Sequence, residues 1–358
     1  MNNRAPLGAI AATALAFSLA ACGTPPAGSP DAGSQGGSSF LPCIVSNAGG
    51  FDDHSFNQLG LEGVKQAAAA HGVEPVAVQA QSASDYGPTM QSLMDRGCSV
   101  IVTMGYPMAD ATEKAAEANP EMKFILVDST TSKPQPNVKP VLWDTSQAGM
   151  LVGYAAASYS KSGKVGTFGG ASVPPVTLYM DGFADGVAQF NKDNGKNVEV
   201  LGWSVAGQKG LFTGNFTDLN AAKTLAQSLL NQGADVLLPV GGPIYKGAGQ
   251  AIRDGGDKAA LLGVDTDLYA TDPSYGDIVL TSIARDMPKT IASVVGDVAA
   301  DKAFSNATYV GTLENNGVFI APFHTFESKV DPALHDQIEA LQKKIVAKDV
   351  SIQSPSKP

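Results

Sequence analysis

Two hydrophobic rhythms take turns along this chain. Short runs rich in Val, Ile and Leu have the mark of buried strands. Each leads into a longer stretch whose apolar residues recur at helical spacing. The strands fall at 44–47, 76–79, 100–104, 124–128 and 138–143, with helices at 55–71, 86–96 and 108–119 between them. A second set follows, with helices at 146–159, 176–190, 219–232 and 247–254 and strands at 164–168, 198–203, 235–240 and 261–264. The tail adds strands at 278–282, 310–313 and 318–321 and helices at 288–301 and 331–348. This alternation predicts an α/β fold of parallel sheets covered by helices on both faces. No Gly- or Pro-rich linker separates the sets, so they read as two lobes of one unit. The late elements suffice to complete both sheets if the chain crosses between lobes again.

The N-terminus breaks this rhythm. Arg4 precedes an apolar run from Leu7 to Leu19, which closes on Leu19-Ala20-Ala21-Cys22. That is the pattern of a signal peptide over 1–21 ending in a lipobox, whose Cys22 becomes a lipid-bearing N-terminus. The run is short for a membrane span. Residues 22–39 are almost all Gly, Ser, Pro and Ala, a composition that cannot bury apolar surface and forms a flexible tether. The expected location is the extracytoplasmic face of a cell membrane, held there by lipid.

Charge and cysteines narrow the reading. The 358 residues carry a formal net charge of −10 at pH 7, which argues against a nucleic-acid partner. Beyond Cys22, Cys43 and Cys98 each precede a β-branched run. As neighbouring parallel strands these runs would bring the two sulfurs within bridging range, and a disulfide is predicted over two buried free thiols. The four histidines are scattered and show no ligand spacing, so no metal and no cofactor are expected.

In open α/β sheets ligands bind beyond the carboxyl ends of the strands. Here those ends carry Asn47-Ala48-Gly49-Gly50, Gly105-Tyr106, Asp128-Ser129, Gly169-Gly170, Gly241-Gly242-Pro243 and Asp265-Thr266-Asp267. Glycines, aromatics and carboxylates on one rim suit a small, neutral, hydrogen-bonding and partly flat ligand. The plainer reading of Asp53 is a helix cap, and that of Phe56 is core. Catalytic signatures are nearly missing, and no catalytic residue is assigned. Ser158-Tyr159-Ser160-Lys161 matches Ser-x-x-Lys, but its companion motifs are absent from the sequence. Gly166-Thr-Phe-Gly169-Gly170 is not a dinucleotide fingerprint.

Across about 42–345 the chain resembles the basic membrane protein family of solute-binding lipoproteins, whose best-understood members are purine-nucleoside receptors of ABC importers. The resemblance rests on several phrases in order. They are Gly50-Phe-Asp-Asp-His-Ser-Phe-Asn-Gln58, Ala118-Asn-Pro-Glu-Met-Lys-Phe-Ile-Leu-Val-Asp128, Gly163-Lys-Val-Gly-Thr-Phe-Gly-Gly170 and Asp181-Gly-Phe-Ala-Asp-Gly186, followed by Gln232-Gly-Ala-Asp-Val236, Gly263-Val-Asp-Thr-Asp267, Leu280-Thr-Ser282 and Leu313-Glu-Asn-Asn-Gly-Val318.

The resemblance implies a type I periplasmic-binding-protein fold, two Rossmann-like lobes joined by three hinge crossovers. Lobe 1 is expected over 40–143 and 266–303, and lobe 2 over 144–265 and 304–350. It further implies a base stacked on Phe56 and reached by Asn57, its edge read by Asp128, and the ribose held by Asp265. Arg285 stands where relatives carry a Lys ribose contact. The strand Val236-Leu237-Leu238-Pro239 lacks the usual second aromatic, leaving Leu237, Tyr106 or Trp203 to cover the other face. The candidate ligand set is Asp53, Phe56, Asn57, Tyr106, Asp128, Leu237, Gly242, Asp265 and Arg285. The expected protein is a monomeric receptor that delivers a nucleoside, a purine first, to an ABC permease. The alternatives are a same-fold receptor for a flavin, sugar or signal molecule and, remotely, an extracytoplasmic hydrolase.

Overall fold

The computed structural model describes residues 40–300 and 302–358, and the signal, Cys22 and tether readings lie outside them. In chain order the first elements are β1 (Pro42–Ser46), α1 (Phe56–Ala70), β2 (Val76–Gln79), α2 (Tyr86–Asp95), β3 (Val100–Met104), α3 (Ala109–Ala118), β4 (Lys123–Val127) and β5 (Val138–Trp143). Next come α4 (Thr145–Tyr159), β6 (Lys164–Gly169), α5 (Pro174–Asn194), β7 (Glu199–Leu201), the hairpin of β8 (Trp203–Ser204) and β9 (Lys209–Gly210), α6 (Leu219–Asn231), β10 (Val236–Val240), α7 (Tyr245–Asp254) and β11 (Ala260–Asp265). The last are α8 (Leu268–Thr271), β12 (Val279–Arg285), α9 (Met287–Ala299), β13 (Tyr309–Gly311), β14 (Val318–Ile320) and α10 (Leu334–Val346).

Two six-stranded sheets result, ordered β13-β5-β4-β3-β1-β2 and β14-β12-β11-β10-β6-β7. Every pairing in the first is parallel, and in the second only β14 runs antiparallel, against β12. Strands β1, β3, β10 and β11 are buried along their whole length, which is why they read as unbroken apolar runs rather than alternating ones. Cys43 and Cys98 form a disulfide across the start of the β1–β3 pair, with Cα atoms 5.9 Å apart.

The structure departs from the expected lobe boundaries in two places. Residues 266–303 were assigned to lobe 1, yet β12 pairs along β11 and all seven of its residues are buried inside the second sheet. Only α9 returns to the first sheet, where it packs on α1; a Cβ at Gly63 would lie 2.6 Å from the Pro288 carbonyl oxygen. Residues 304–350 were assigned to lobe 2, yet β13 pairs with β5 and closes the edge of the first sheet. Local periodicity shows that a strand is buried but not which strand it joins.

The chain therefore passes between sheets at Asp144, at Asp286 and over 312–317, and these crossings are tied together. The Asp144 N–H donates to the Gly311 carbonyl (2.8 Å), the Asp286 N–H to that of Gly317 (3.0 Å), and the Gly317 N–H to that of Thr312 (2.9 Å).

Helices α4 and α5 follow the first crossing and meet through glycines. Cβ atoms built on Gly153 and Gly186 would lie 2.0 Å and 2.1 Å from the carbonyl oxygens of Phe183 and Met150. Backbone thus packs on backbone, and this contact sets the N-terminal end of α5 against the site.

Candidate ligand-binding cleft

The carboxyl ends of strands from both sheets face one another across a cleft. From the first sheet, the turn after β1 is braced internally. Asn57 Nδ2 donates to Asn47 Oδ1 and to Asp53 Oδ2 (both 3.0 Å), while its Oδ1 accepts the Asn47 N–H. The Asp53 carboxylate takes the N–H groups of Ser55, Asn57 and Gln58 at the first turn of α1. Burial pushes the Asp53 carboxyl above its ordinary value, with those backbone donors pulling it back. Asp53 and Asn57 line the cleft, yet most of their hydrogen-bonding capacity serves the turn. That rigid turn places the Phe56 ring on the cleft wall.

The chemistry gathers at Asp128, directly after β4, and at Asp265, the last residue of β11. Both are non-glycine residues at positive φ, +57° and +72°. Such backbone is costly and persists where the surroundings impose it, often at functional sites. Asp265 pairs opposite Ala284, so Arg285 follows one step further along β12 and lies between the two carboxylates. Its Nη1 donates to both Asp128 oxygens at 2.7 Å, and its Nη2 to Asp265 Oδ1 at 2.6 Å.

The Arg285 side chain is only 3% exposed. Its guanidinium carbon lies 5.0 Å from the Trp143 ring centre, 5.3 Å from that of Phe56 and 5.9 Å from that of Tyr179. Tyr179 Oη donates to Asp265 Oδ1 (2.8 Å), and Ser55 Oγ reaches across from the first sheet to Asp265 Oδ2 (2.8 Å). Burial works against the Arg285 charge, but Asp128 and then Asp265 outweigh it and hold its pKa above the ordinary value. Burial also drives the Tyr179 hydroxyl well above its ordinary value, so it stays a donor.

Of the expected ligand residues, Asp53, Phe56, Asn57, Tyr106, Asp128, Gly242, Asp265 and Arg285 all border this cleft, with Tyr106 the exposed one at 44%. Leu237 does not. It sits one residue into β10, fully buried with Phe168 and Leu229, whereas the cleft meets that strand at its other end, at Val240. Trp203 is also elsewhere; its Nε1 donates to buried Asp181. The aromatic that sequence reasoning missed is Phe216, whose ring rests over Gly170 and Gly241, 2.4 Å and 2.7 Å from where a Cβ would stand. Those glycine pairs were the available signal, since they clear space for a ring. Tyr179 was missed because its helical spacing reads as core. Ser160 donates to Asp235, before the amino end of β10, so the Ser-x-x-Lys stretch lies at the strand end remote from the cleft.

Residues 43–356 match the Bmp family, described as ABC transporter substrate-binding protein PnrA-like. The chain belongs to this family. Among Bmp relatives, the ABC transporter nucleoside-binding protein BmpA of Lactococcus lactis is 28% identical over 292 residues, covering 77% of this chain and 79% of its own. Basic membrane protein A of Borreliella burgdorferi is 27% identical over 308 residues, 86% of each chain. An uncharacterized lipoprotein of Pyrococcus furiosus is 30% identical over 65% of this chain and 58% of its own. An ABC transporter solute-binding protein of Aeropyrum pernix superposes with a TM-score of 0.79 at 22% identity, over 88% of this chain and 94% of its own. This Bmp protein has the type I fold of periplasmic solute-binding proteins, and its family role is substrate binding for an ABC transporter.

Proposed function

We propose that this Bmp protein captures a neutral nucleoside, a purine nucleoside first, and delivers it to its ABC permease from a lipid anchor at Cys22 on the extracytoplasmic face of the membrane. The observation that carries the reading is one aromatic face, Phe56, flanked by two carboxylates brought from opposite sheets, the buried Asp265 and the largely covered Asp128. A carboxylate accepts two hydrogen bonds and suits either a pair of base N–H groups or a vicinal diol. Phe216 stands in the second lobe where another aromatic face is called for. Three carboxylates against one guanidinium disfavour a phosphate, so a nucleoside is preferred to a nucleotide. The printed name of the Lactococcus relative points the same way.

A second reading, a flavin, draws on a neighbouring cavity of about 430 Å³ that shares Tyr106 and Asp128 and is walled by Leu142, Trp143 and Leu178. Titration calorimetry on the protein from Ser38 onward, stripped by unfolding and refolding, separates the readings. Guanosine, adenosine, cytidine, riboflavin and ribose form the panel. Micromolar binding of purine nucleosides, at least about fivefold weaker in Phe56→Ala, is expected, since base–aromatic stacking is worth about 1–3 kcal/mol. Binding of riboflavin alone would select the second reading, and silence across the panel would refute both.

A further inference from the structure

The nucleoside reading assigns three features to the ligand: the Phe56 face, the Asp128 oxygens and the Asp265 oxygens. One side chain of the protein itself engages all three. The Arg285 guanidinium is flat, carries N–H donors on its edge, lies over Phe56, and bonds Asp128 through Nη1 and Asp265 through Nη2. With the side chain so placed the central cavity is about 70 Å³, room for a few waters. Sites for small molecules run to roughly 300 Å³ and more.

We propose that Arg285 is a built-in competitor for the ligand and determines specificity by demanding exchange at both carboxylates. The proposal rests on the nucleoside reading of the same cleft. A free base can replace the guanidinium only at Asp128, and a free ribose only at Asp265. Either leaves one largely buried carboxylate without the charged donor that Arg285 gave it, Asp265 then keeping only the neutral hydroxyls of Tyr179 and Ser55, and withdrawing a charge-paired donor from such a site is costly. A nucleoside carries base N–H groups at one end and a diol at the other, so it can replace both bonds at once. The same side chain ties the sheets together, because Asp128 follows a strand of the first sheet and Arg285 ends a strand of the second.

The test uses Arg285→Lys, which keeps the charge but is a point donor without the planar fork and cannot serve both carboxylates in the same way. Arg285→Gln, which keeps an amide donor and drops the charge, is the second variant, and thermal unfolding confirms that each is folded. Small-angle scattering of stripped protein, with no ligand added, is expected to give a larger radius of gyration for both variants than for the parent. Calorimetry of Arg285→Lys is expected to show guanosine binding tightened about tenfold, the relief due if the parent spends about nine-tenths of its time self-occupied. Guanine and ribose should gain more than guanosine, so that the preference for the whole nucleoside shrinks. Weaker guanosine binding in Arg285→Lys would make Arg285 a plain ligand contact and overturn the proposal. An unchanged radius would overturn it as well. If no nucleoside binds to parent or variants, the nucleoside reading fails, and the scattering comparison still decides whether Arg285 holds the cleft shut.

Discussion

Replacing Gly153 by alanine tests whether the glycine contact between α4 and α5 sets the geometry of the cleft. The added Cβ would stand 2.0 Å from the Phe183 carbonyl oxygen, where ordinary contact begins at 3.4 Å, so the helices must part by about 1.4 Å (3.4 − 2.0). The obstacle is the backbone of a helix and has no rotamer to escape into. Overpacking of this kind costs roughly 1–3 kcal/mol, and the upper end is expected here. The displaced helix carries Tyr179, whose 2.8 Å bond to Asp265 cannot survive a shift of that size, so ligand affinity should fall with stability. Gly296→Ala is the control. Gly296 lies inside α9 with nothing within 4 Å of its missing Cβ, and alanine there should stabilise by up to about 1 kcal/mol through helix propensity. Urea unfolding followed by circular dichroism reads both variants on one scale. If Gly153→Ala loses less than about 1 kcal/mol at unchanged m-value, close backbone packing is not why α4 and α5 carry glycine.

Three further outcomes are expected. Converting Cys43 and Cys98 together to alanine should cost about 4 kcal/mol in guanidinium unfolding, from the loop entropy released over a sequence separation of 55. Asp181→Ala should cost roughly 3 kcal/mol and alter Trp203 fluorescence, because this fully buried carboxylate takes donors from Trp203, Gln208 and Ser354, and the buried Trp203 Nε1 would be left without its acceptor. The hydrogen bond from Arg253 holds Asp277 below its ordinary value of 3.8, so its contribution is present above that pH and is lost as pH falls through the lowered value. Urea midpoints of parent and Asp277→Asn should therefore differ at pH 7 and converge in strong acid. A gap that persists there would refute the pairing.

How much of this was legible in the sequence depends on the scale of the contact. Strands at 76–79, 100–104 and 138–143 fall where the apolar runs put them; the central one, β3, is buried on both faces and leaves an unbroken apolar signature, whereas the edge strand β2 covers one face only. The carboxylates at Asp128 and Asp265 were legible because ligands gather at strand ends, and each of these directly ends an apolar run. The partner of β12 was not legible, since a strand's neighbours are chosen by contacts distant in sequence. Phe216 was hidden because residues 211–218 form no helix or strand and carry no period to read. Arg285 was expected to face a ribose. Its bridging of Asp128 and Asp265 depends on β11 and β4 belonging to different sheets that meet, which no local pattern records.

The route of the chain through its two sheets also governs the order in which they can be finished. A chain emerging N-terminus first presents β1 to β5 early, and the cysteines at 43 and 98 are both within that stretch. The edge strand β13 and the helix α9 that covers α1 emerge only after β6 to β12 have all been made. Until then the side of α1 that meets α9 and the open edge of β5 have no cover. The first half made is therefore among the last completed, and long-range closures of this kind slow folding. Any truncation that removes α9 and β13 leaves the first sheet unfinished, however much of its sequence remains.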